Sequence, residues 1–376
     1  MPTPRSNLIV VAYPSDETLG FSTVCKNASI IAVGDPKWPH HGKELQQELR
    51  QAAAQLKATK FNYLGHSLRK IDSAAFQALV KRLRLFKVTG RVYTHSPFDD
   101  DTLRGSVALA AAQAFGEVWV QSPSGLAQQA NVLKRSALAA KARIINTVYA
   151  KRIRTEDDSF RIPHTALLGV EAFTPATFEE VMHGLALTRS EILPYPDAWG
   201  LLSSPYETHR YERSCQLLLD HATSGGAKTI LEVGACEGAM TSHLRRAFPK
   251  SHIKALEVHP EFTRRLKARF LKDKQIAVIQ QGIGQAELKA DIVLLAEVLY
   301  YVENDLKPIL RKVKAKYVFT SSEGDFDLEL TRKLTALKWR LLAQETIGSC
   351  FEALSGGHGH LFCRREGTTL RVWQTG

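Results

Sequence analysis

Thr229-Ile-Leu-Glu-Val-Gly-Ala-Cys-Glu-Gly-Ala-Met-Thr-Ser-His-Leu244 reads as a short buried strand, a tight glycine turn and the start of a helix. Ile230, Leu231 and Val233 form the apolar run of the strand. Gly234 and Gly238 let the backbone turn without a Cβ clash, and Ala239 to Leu244 resume helical spacing. A ligand can therefore approach the main chain there. A dinucleotide fold asks for Gly-x-Gly-x-x-Gly, which seats a pyrophosphate on the helix N-terminus. Here Cys236 stands in place of the second glycine and Glu232 precedes the first. A carboxylate beside the turn repels phosphate and suits a cationic ligand. A plain strand-turn-helix with ordinary turn glycines is the competing reading.

Two further stations lie downstream. His252-Ile-Lys-Ala-Leu-Glu-Val258 reads as a second strand ending in Glu257, about twenty residues after the turn, where an acid accepts hydrogen bonds from ribose hydroxyls. Ala290-Asp-Ile-Val-Leu-Leu-Ala-Glu-Val-Leu-Tyr-Tyr-Val302 gives another apolar strand, with Glu297, Tyr300 and Tyr301 just past its C-terminal end. In open α/β sheets that edge is where ligands bind. The Glu-x-Gly-x-x-x-Gly arrangement resembles the first motif of class I S-adenosylmethionine-dependent methyltransferases, whose ligand carries a sulfonium and an amino group and no phosphate. The resemblance implies S-adenosyl-L-methionine as cofactor, held by Glu232, Gly234, Cys236, Gly238 and Glu257.

The segment before the first strand, Ser204-Pro-Tyr-Glu-Thr-His-Arg-Tyr-Glu-Arg213, predicts a helix that is aromatic and charged at its start and could lie over the glycine turn. It resembles the N-terminal cap of NodS-like N-methyltransferases, which methylate the amine of a glucosamine unit, and Ala296-Glu-Val-Leu-Tyr-Tyr301 is similar to their strand-end motif. The similarity runs from about Trp199 to Arg365. A neutral amine is already nucleophilic, so only its proton must leave. Glu297, Tyr300, Tyr301 and His358 are candidates to accept or relay it, and Tyr206 and Arg210 are candidates to shape the acceptor pocket. Further on, Lys316 to Ser321 reads as a strand. Trp339-Arg-Leu-Leu-Ala343 and Gly359-His-Leu-Phe-Cys363 are expected to form the antiparallel pair that closes a class I methyltransferase sheet, with Thr369 to Trp373 added at an edge. His358 and His360, two ligands without a third, do not make a metal site.

The first half alternates strands and helices: strands near 7–13, 29–34, 91–95 and 117–121, helices near 44–56 and 103–115, then helix-compatible runs over Leu126 to Arg154 and Ala176 to Ser190. This implies a mostly parallel sheet with helices on both faces. Ala12-Tyr-Pro-Ser-Asp-Glu-Thr-Leu-Gly20, Tyr93-Thr-His-Ser-Pro-Phe-Asp-Asp100 and Glu171-Ala-Phe-Thr-Pro175 together resemble the PIG-L/LmbE-type zinc-dependent N-deacetylases. That family binds zinc through the motif histidine and second aspartate and uses the first aspartate as general base. This chain has Tyr13 and Ser15 at the histidine and base positions, keeping Asp16 and Glu17. A catalytic zinc wants three protein ligands plus water, which Asp16 with His95 does not supply. The resemblance therefore implies a deacetylase fold without metal or hydrolysis. Asp99, Asp100 and Asp101 are expected to cap the next helix, and His66 to make a loop hydrogen bond.

At 376 residues the chain has room for two domains, set at 1–185 and 186–376, because Leu193-Pro-Tyr-Pro-Asp197 disfavours helix and marks a linker. Hydrophobic residues at 44% and charged residues at 23% are those of a soluble globular protein. No apolar run approaches the ~20 residues of a membrane helix, and the start of the chain lacks the regions of a secretory signal, so a cytoplasmic location is expected. Five scattered cysteines suggest reduced thiols rather than a disulfide framework or a thiolate zinc site. The net charge of +12 favours an acidic partner, but the basic residues are spread along the helices, so nucleic acid is not the expected partner. The expected chain is thus an α/β protein. It joins a PIG-L/LmbE-like Rossmann-like domain to a class I methyltransferase fold acting on an amino-sugar, glycan or related small amine. A bifunctional deacetylase/N-methyltransferase and a non-catalytic glycan-binding scaffold are the alternatives.

Overall fold

The computed structural model describes residues 6–34, 42–65, 74–99, 101–122, 127–150, 169–187, 189, 195–222, 226–354 and 361–375. The chain divides into two compact units, Met1–Trp199 with Ala353–Phe362, and Gly200–Glu352 with Cys363–Gly376. Among the described residues no helix is long and apolar enough to cross a membrane.

In the first unit the strands are β1 (Leu8–Val11), β2 (Ser29–Ala32), β3 (Lys60–Tyr63), β4 (Val92–Thr94), β5 (Glu117–Gln121), β6 (Gln129–Val132) and β7 (Val170–Thr177), in the order β3-β2-β1-β4-β5-β7-β6. The first five in that order are parallel, and β7 is antiparallel to both β5 and β6. β1 is Leu-Ile-Val-Val and every residue is buried, the pattern of a strand covered on both faces. The helices are α1 (Asp16–Gly20), α2 (Gly42–Gln55), α3 (Ala74–Leu83), α4 (Thr102–Phe115), α5 (Arg135–Val148) and α6 (Phe178–Ala186). Asp101 caps α4, its side chain accepting from Leu103 N and Arg104 N.

Two helical expectations need correcting. Within 126–154, residues 129–132 form a strand, because they pair with β7, and the helix begins only at Arg135. Ala176 belongs to β7, and the next helix starts at Phe178, where Thr177 and Glu180 form a reciprocal capping box. Lys60–Tyr63 and Ala74–Leu83 formed elements that composition did not announce. Asp100, His66 and the segment 151–168 lie outside the described residues.

The second unit begins with α7 (Pro205–His221), started by Pro205 after the Ser204 cap. Its strands are β8 (Thr229–Val233), β9 (His252–Glu257), β10 (Ile276–Gln280), β11 (Ile292–Ala296), β12 (Tyr317–Ser322), β13 (Arg340–Ile347), β14 (Cys350–Ala353), β15 (Phe362–Arg365) and β16 (Thr368–Gln374). Seven form one sheet in the order β10-β9-β8-β11-β12-β16-β13, parallel except for the last two pairings, and β14 pairs with β15 separately. The helices are α8 (Ala239–Ala247), α9 (Pro260–Arg269), α10 (Leu306–Lys312) and α11 (Gly324–Ala336). One core face gathers Leu218, Ile230, Leu244 and Phe319, and the other gathers Leu231, Val293, Val318 and Leu334.

The expected antiparallel closing pair exists, but its members differ from the reading. β13 pairs with the tail strand β16, while Phe362–Arg365 pair with β14. The tail is interior to the sheet, lying between β12 and β13. Placed there, Leu370, Val372 and Trp373 are all enclosed.

Candidate active site

The strand order in the second unit reverses at β8, so the crevice past the C-terminal ends of β8 and β11 is the ligand position of an open α/β sheet. Three residues of the turn after β8 have positive φ: Gly234 at 74°, Cys236 at 47° and Gly238 at 86°. Gly234 N and Ala235 N both donate to Leu256 O, at 2.8 and 3.0 Å, which ties the turn to the end of β9. A Cβ on Gly234 would come within 3.1 Å of Val298 Cγ2, so the exit of β11 abuts the glycine turn.

The acids flanking the turn have different partners. Glu232 is buried, and its Oε2 accepts from Thr241 Oγ1 at 2.6 Å. Burial pushes its carboxyl up to about 8, against the Thr241 hydrogen bond and with help from the negative charge of Glu257. A carboxyl held above its ordinary range stabilises the fold most while protonated, at and below that ordinary range. This unit should therefore lose stability as pH rises from about 4.5 towards 8. Denaturant melts across that window should show the decline, and Glu232→Gln should flatten it.

Glu257 ends β9, with Oε2 accepting from Cys236 N at 2.8 Å and Oε1 from His259 N at 2.7 Å. The carboxylate is thereby fixed by the main chain on both sides of the crevice floor. Val258, next along, exposes an apolar side chain. Glu237 is paired with Arg265 of α9 instead.

At the exit of β11, Glu297 has φ of 50°, a left-handed conformation that costs a residue with a Cβ about 1 kcal/mol or more. It is anchored by its N–H on Ser321 O, 3.1 Å, and by Thr368 Oγ1 on its Oε1, 2.5 Å. The Tyr300 ring lies tilted against Tyr301, centroids 4.4 Å apart, and meets Phe326 edge-on. Burial, with the neighbouring Tyr301 and Glu297, pushes the Tyr300 hydroxyl well above its ordinary range. Tyr301 is 69% exposed. His358 lies outside the described residues.

The α7 start supplies the wall. Tyr206 Oη donates to Glu366 O at 2.6 Å and Tyr206 N to Glu352 Oε2 at 3.2 Å. Arg210 is buried, donates through Nε and Nη2 to Glu207 Oε2, and reaches Ser321 Oγ at 3.5 Å. Glu207, Ser321, Glu323 and Thr368 belong to this neighbourhood without having been singled out from the sequence. Glu323 is held above the usual carboxylate range by burial, then by Glu297 and Glu366. The i, i+3 spacing of Glu207 and Arg210 was a readable signal; Thr368 gave none, because its role depends on where β16 inserts.

Residues 185–345 match the family model described as Nodulation protein S (NodS). The C-terminal half carries a NodS-like methyltransferase domain. Solved structures resembling the chain include the N-methyltransferase NodS from Bradyrhizobium japonicum WM9 in complex with S-adenosyl-L-homocysteine, 20% identical over 49% of this chain and 94% of that one, TM-score 0.40. Another is the precorrin-6y C5,15-methyltransferase from Geobacter metallireducens GS-15, 11% identical over 47% of this chain and 91% of that one, TM-score 0.34. Among curated proteins none matches. The methyltransferase domain is S-adenosylmethionine-dependent.

In the first unit the strand order reverses between β1 and β4. Arg104 Nη2 donates to Asp16 Oδ1 at 2.7 Å, Tyr13 N donates to Asp16 Oδ2 at 3.0 Å, and Tyr13 Oη bonds the Asp101 carboxylate at 3.0 and 3.1 Å. His95 is buried and its Nε2 accepts from Ala12 N at 2.9 Å. Burial lowers its pKa, which keeps the ring neutral. Glu17 is fully buried, bonded to Thr18, Tyr149 and Ser15 N, and burial raises its pKa.

Proposed function

We propose that the methyltransferase domain methylates the nitrogen of an amino sugar or a related small amine, and that the N-terminal unit is a deacetylase-like domain without a hydrolytic metal, serving substrate binding or scaffolding. The observation that carries the first half of this reading is the set of acids gathered, among the described residues, around the glycine turn and the strand ends. Glu232 and Glu257 flank the turn, Glu297 and Glu323 stand at the strand ends, and Arg210 is committed to Glu207. Such a site suits a sulfonium compound and an amine.

The residues fit the cofactor. The glycine turn is a cradle that a Cβ at Gly234 would crowd, Glu257 is fixed to receive the ribose, and Glu232 is available to the amino end. The bound cofactor supplies an electrophilic methyl group. The chain's own task is to hold the acceptor nitrogen in line and take up its proton, and positioning of this kind can be worth ~7–11 kcal/mol. Glu297 is the favoured acceptor of that proton, since its Oε2 makes no hydrogen bond among the described residues. Tyr300 and Tyr301 are candidates to relay it; Tyr300, with its hydroxyl pushed up, would act as a donor rather than a base. Tyr206 and Arg210 form the pocket wall.

The residues of the first unit do not fit zinc. Asp16 already binds Arg104 and the Tyr13 amide, and the His95 Nε2 lone pair is used by Ala12 N. Elemental analysis of the purified protein is expected to find substoichiometric zinc; tight stoichiometric zinc would restore the bifunctional reading.

Cofactor binding should depend on pH in the sense opposite to stability. A cationic ligand favours ionised Glu232, so affinity for S-adenosylmethionine should rise tens-of-fold from pH 6 to 9, up to the Glu232 value of about 8, and Glu232→Gln should remove most of the slope. The function itself is tested by incubating the protein and labelled S-adenosylmethionine with amino sugars and with a cell extract. Label is expected on an amine of low molecular mass; label on RNA or on no molecule at all would refute the acceptor assignment.

A further inference from the structure

We propose that Thr368 is a positioning residue for methyl transfer: its hydroxyl fixes the Glu297 carboxylate by one oxygen and leaves the other for the positive charge brought into the crevice. The inference deepens the reading of the methyltransferase site and rests on S-adenosylmethionine being its cofactor.

Thr368 opens β16, the strand that inserts between β12 and β13, and it is 3% exposed. Its Oγ1 lies 2.5 Å from Glu297 Oε1 and 3.2 Å from Ser322 O. A hydroxyl has one proton to donate, and the shorter, charge-assisted contact to the carboxylate takes it. Glu297 needs such a restraint. Its backbone is left-handed just past β11, and its amide is held by Ser321 O. Strain of that kind persists where the surroundings over-determine it and collects at working sites. The main chain is thus tied to the end of β12 by Ser321 and the side chain to the start of β16 by Thr368. Among the described residues Glu297 Oε2 has no hydrogen bond. Val298, the next residue, packs against the position of a Gly234 Cβ, so the chain immediately after Glu297 abuts the glycine turn. Removing the Thr368 hydroxyl leaves the carboxylate present but free to rotate.

The test needs no knowledge of the methyl acceptor. Sinefungin resembles S-adenosylmethionine with an amine-bearing carbon in place of the methylated sulfur, and S-adenosylhomocysteine lacks the positive charge. The ratio of their dissociation constants, from calorimetry, reads how well a carboxylate meets a cation at the transferring position. Sinefungin should bind the unaltered protein about tenfold or more tighter than S-adenosylhomocysteine, and E297Q should bring the two together. T368V should cut the preference at least about fivefold while leaving S-adenosylhomocysteine affinity within twofold. T368S, which keeps the hydroxyl, should restore it. T368A carries the same expectation as T368V should the isosteric change not fold. An unchanged preference in the hydroxyl-less variants, a T368S that behaves like T368V, or no preference in the unaltered protein overturns the proposal. If S-adenosylhomocysteine does not bind at all, the cofactor reading fails first and takes this one with it.

Discussion

Glu257→Ala is expected to weaken S-adenosylmethionine binding by a hundredfold or more. Each hydrogen bond from a hydroxyl to a charged acceptor is worth about 1.5–3 kcal/mol, and a ribose presents two hydroxyls to the one carboxylate. The substitution also removes the acceptor of Cys236 N and His259 N, so the turn loses the side chain that ties it to the end of β9. An amide orphaned in a partly buried site costs about 1–3 kcal/mol, which should lower the melting temperature of the domain as well. Calorimetric titration separates the two effects, because Glu257→Gln keeps the volume and one oxygen acceptor and should retain more stability than affinity. An alanine variant that binds within threefold of the unaltered protein would remove Glu257 from the cofactor site.

Gly238→Ala is expected to destabilise the methyltransferase domain by about 2–4 kcal/mol. The left-handed conformation at φ of 86° costs a residue with a Cβ about 1–2 kcal/mol. The added carbon would also lie 2.6 Å from both Leu266 Cδ1 and Phe270 Cε2, and forcing atoms into a packed site costs about 1–3 kcal/mol more. Leu266 is fully buried on α9, so relief comes from shifting the turn, the proposed cofactor cradle. The measurement is the melting transition with and without S-adenosylhomocysteine. The variant should melt lower and gain less from the ligand, and a variant with unchanged melting would show that the turn can open without cost.

The Glu232 and Glu257 carboxylates and the two glycines were legible because their meaning is local. Strand, turn and next strand follow one another within about thirty residues, and the continuous apolar runs of β8 and β11 announce strands buried on both faces, while β9 opens with alternation. The alternation in the first unit was legible for the same reason, as with Leu8–Val11 and Thr102–Phe115. Gln129–Val132 was misread as helix because four residues without strong apolar periodicity become a strand only through pairing with β7. The closing pair was assigned to the wrong segment because two nearby stretches both alternate, and a chain cannot declare locally which will be enclosed by β12 and β13.

The sequence by itself determined that this protein has two α/β halves, and that the second bends at Gly234 and Gly238 and puts acids where a phosphate binder has none. These follow from backbone sterics and side-chain charge, which act within a few residues. Tertiary structure alone decided that Thr368 reaches Glu297, that Arg210 comes to Ser321, and that Arg104 closes on Asp16. Those partners are 71, 111 and 88 positions apart in the chain, and what joins them is the order in which strands assemble, set by the burial of whole faces rather than by any residue's own preference.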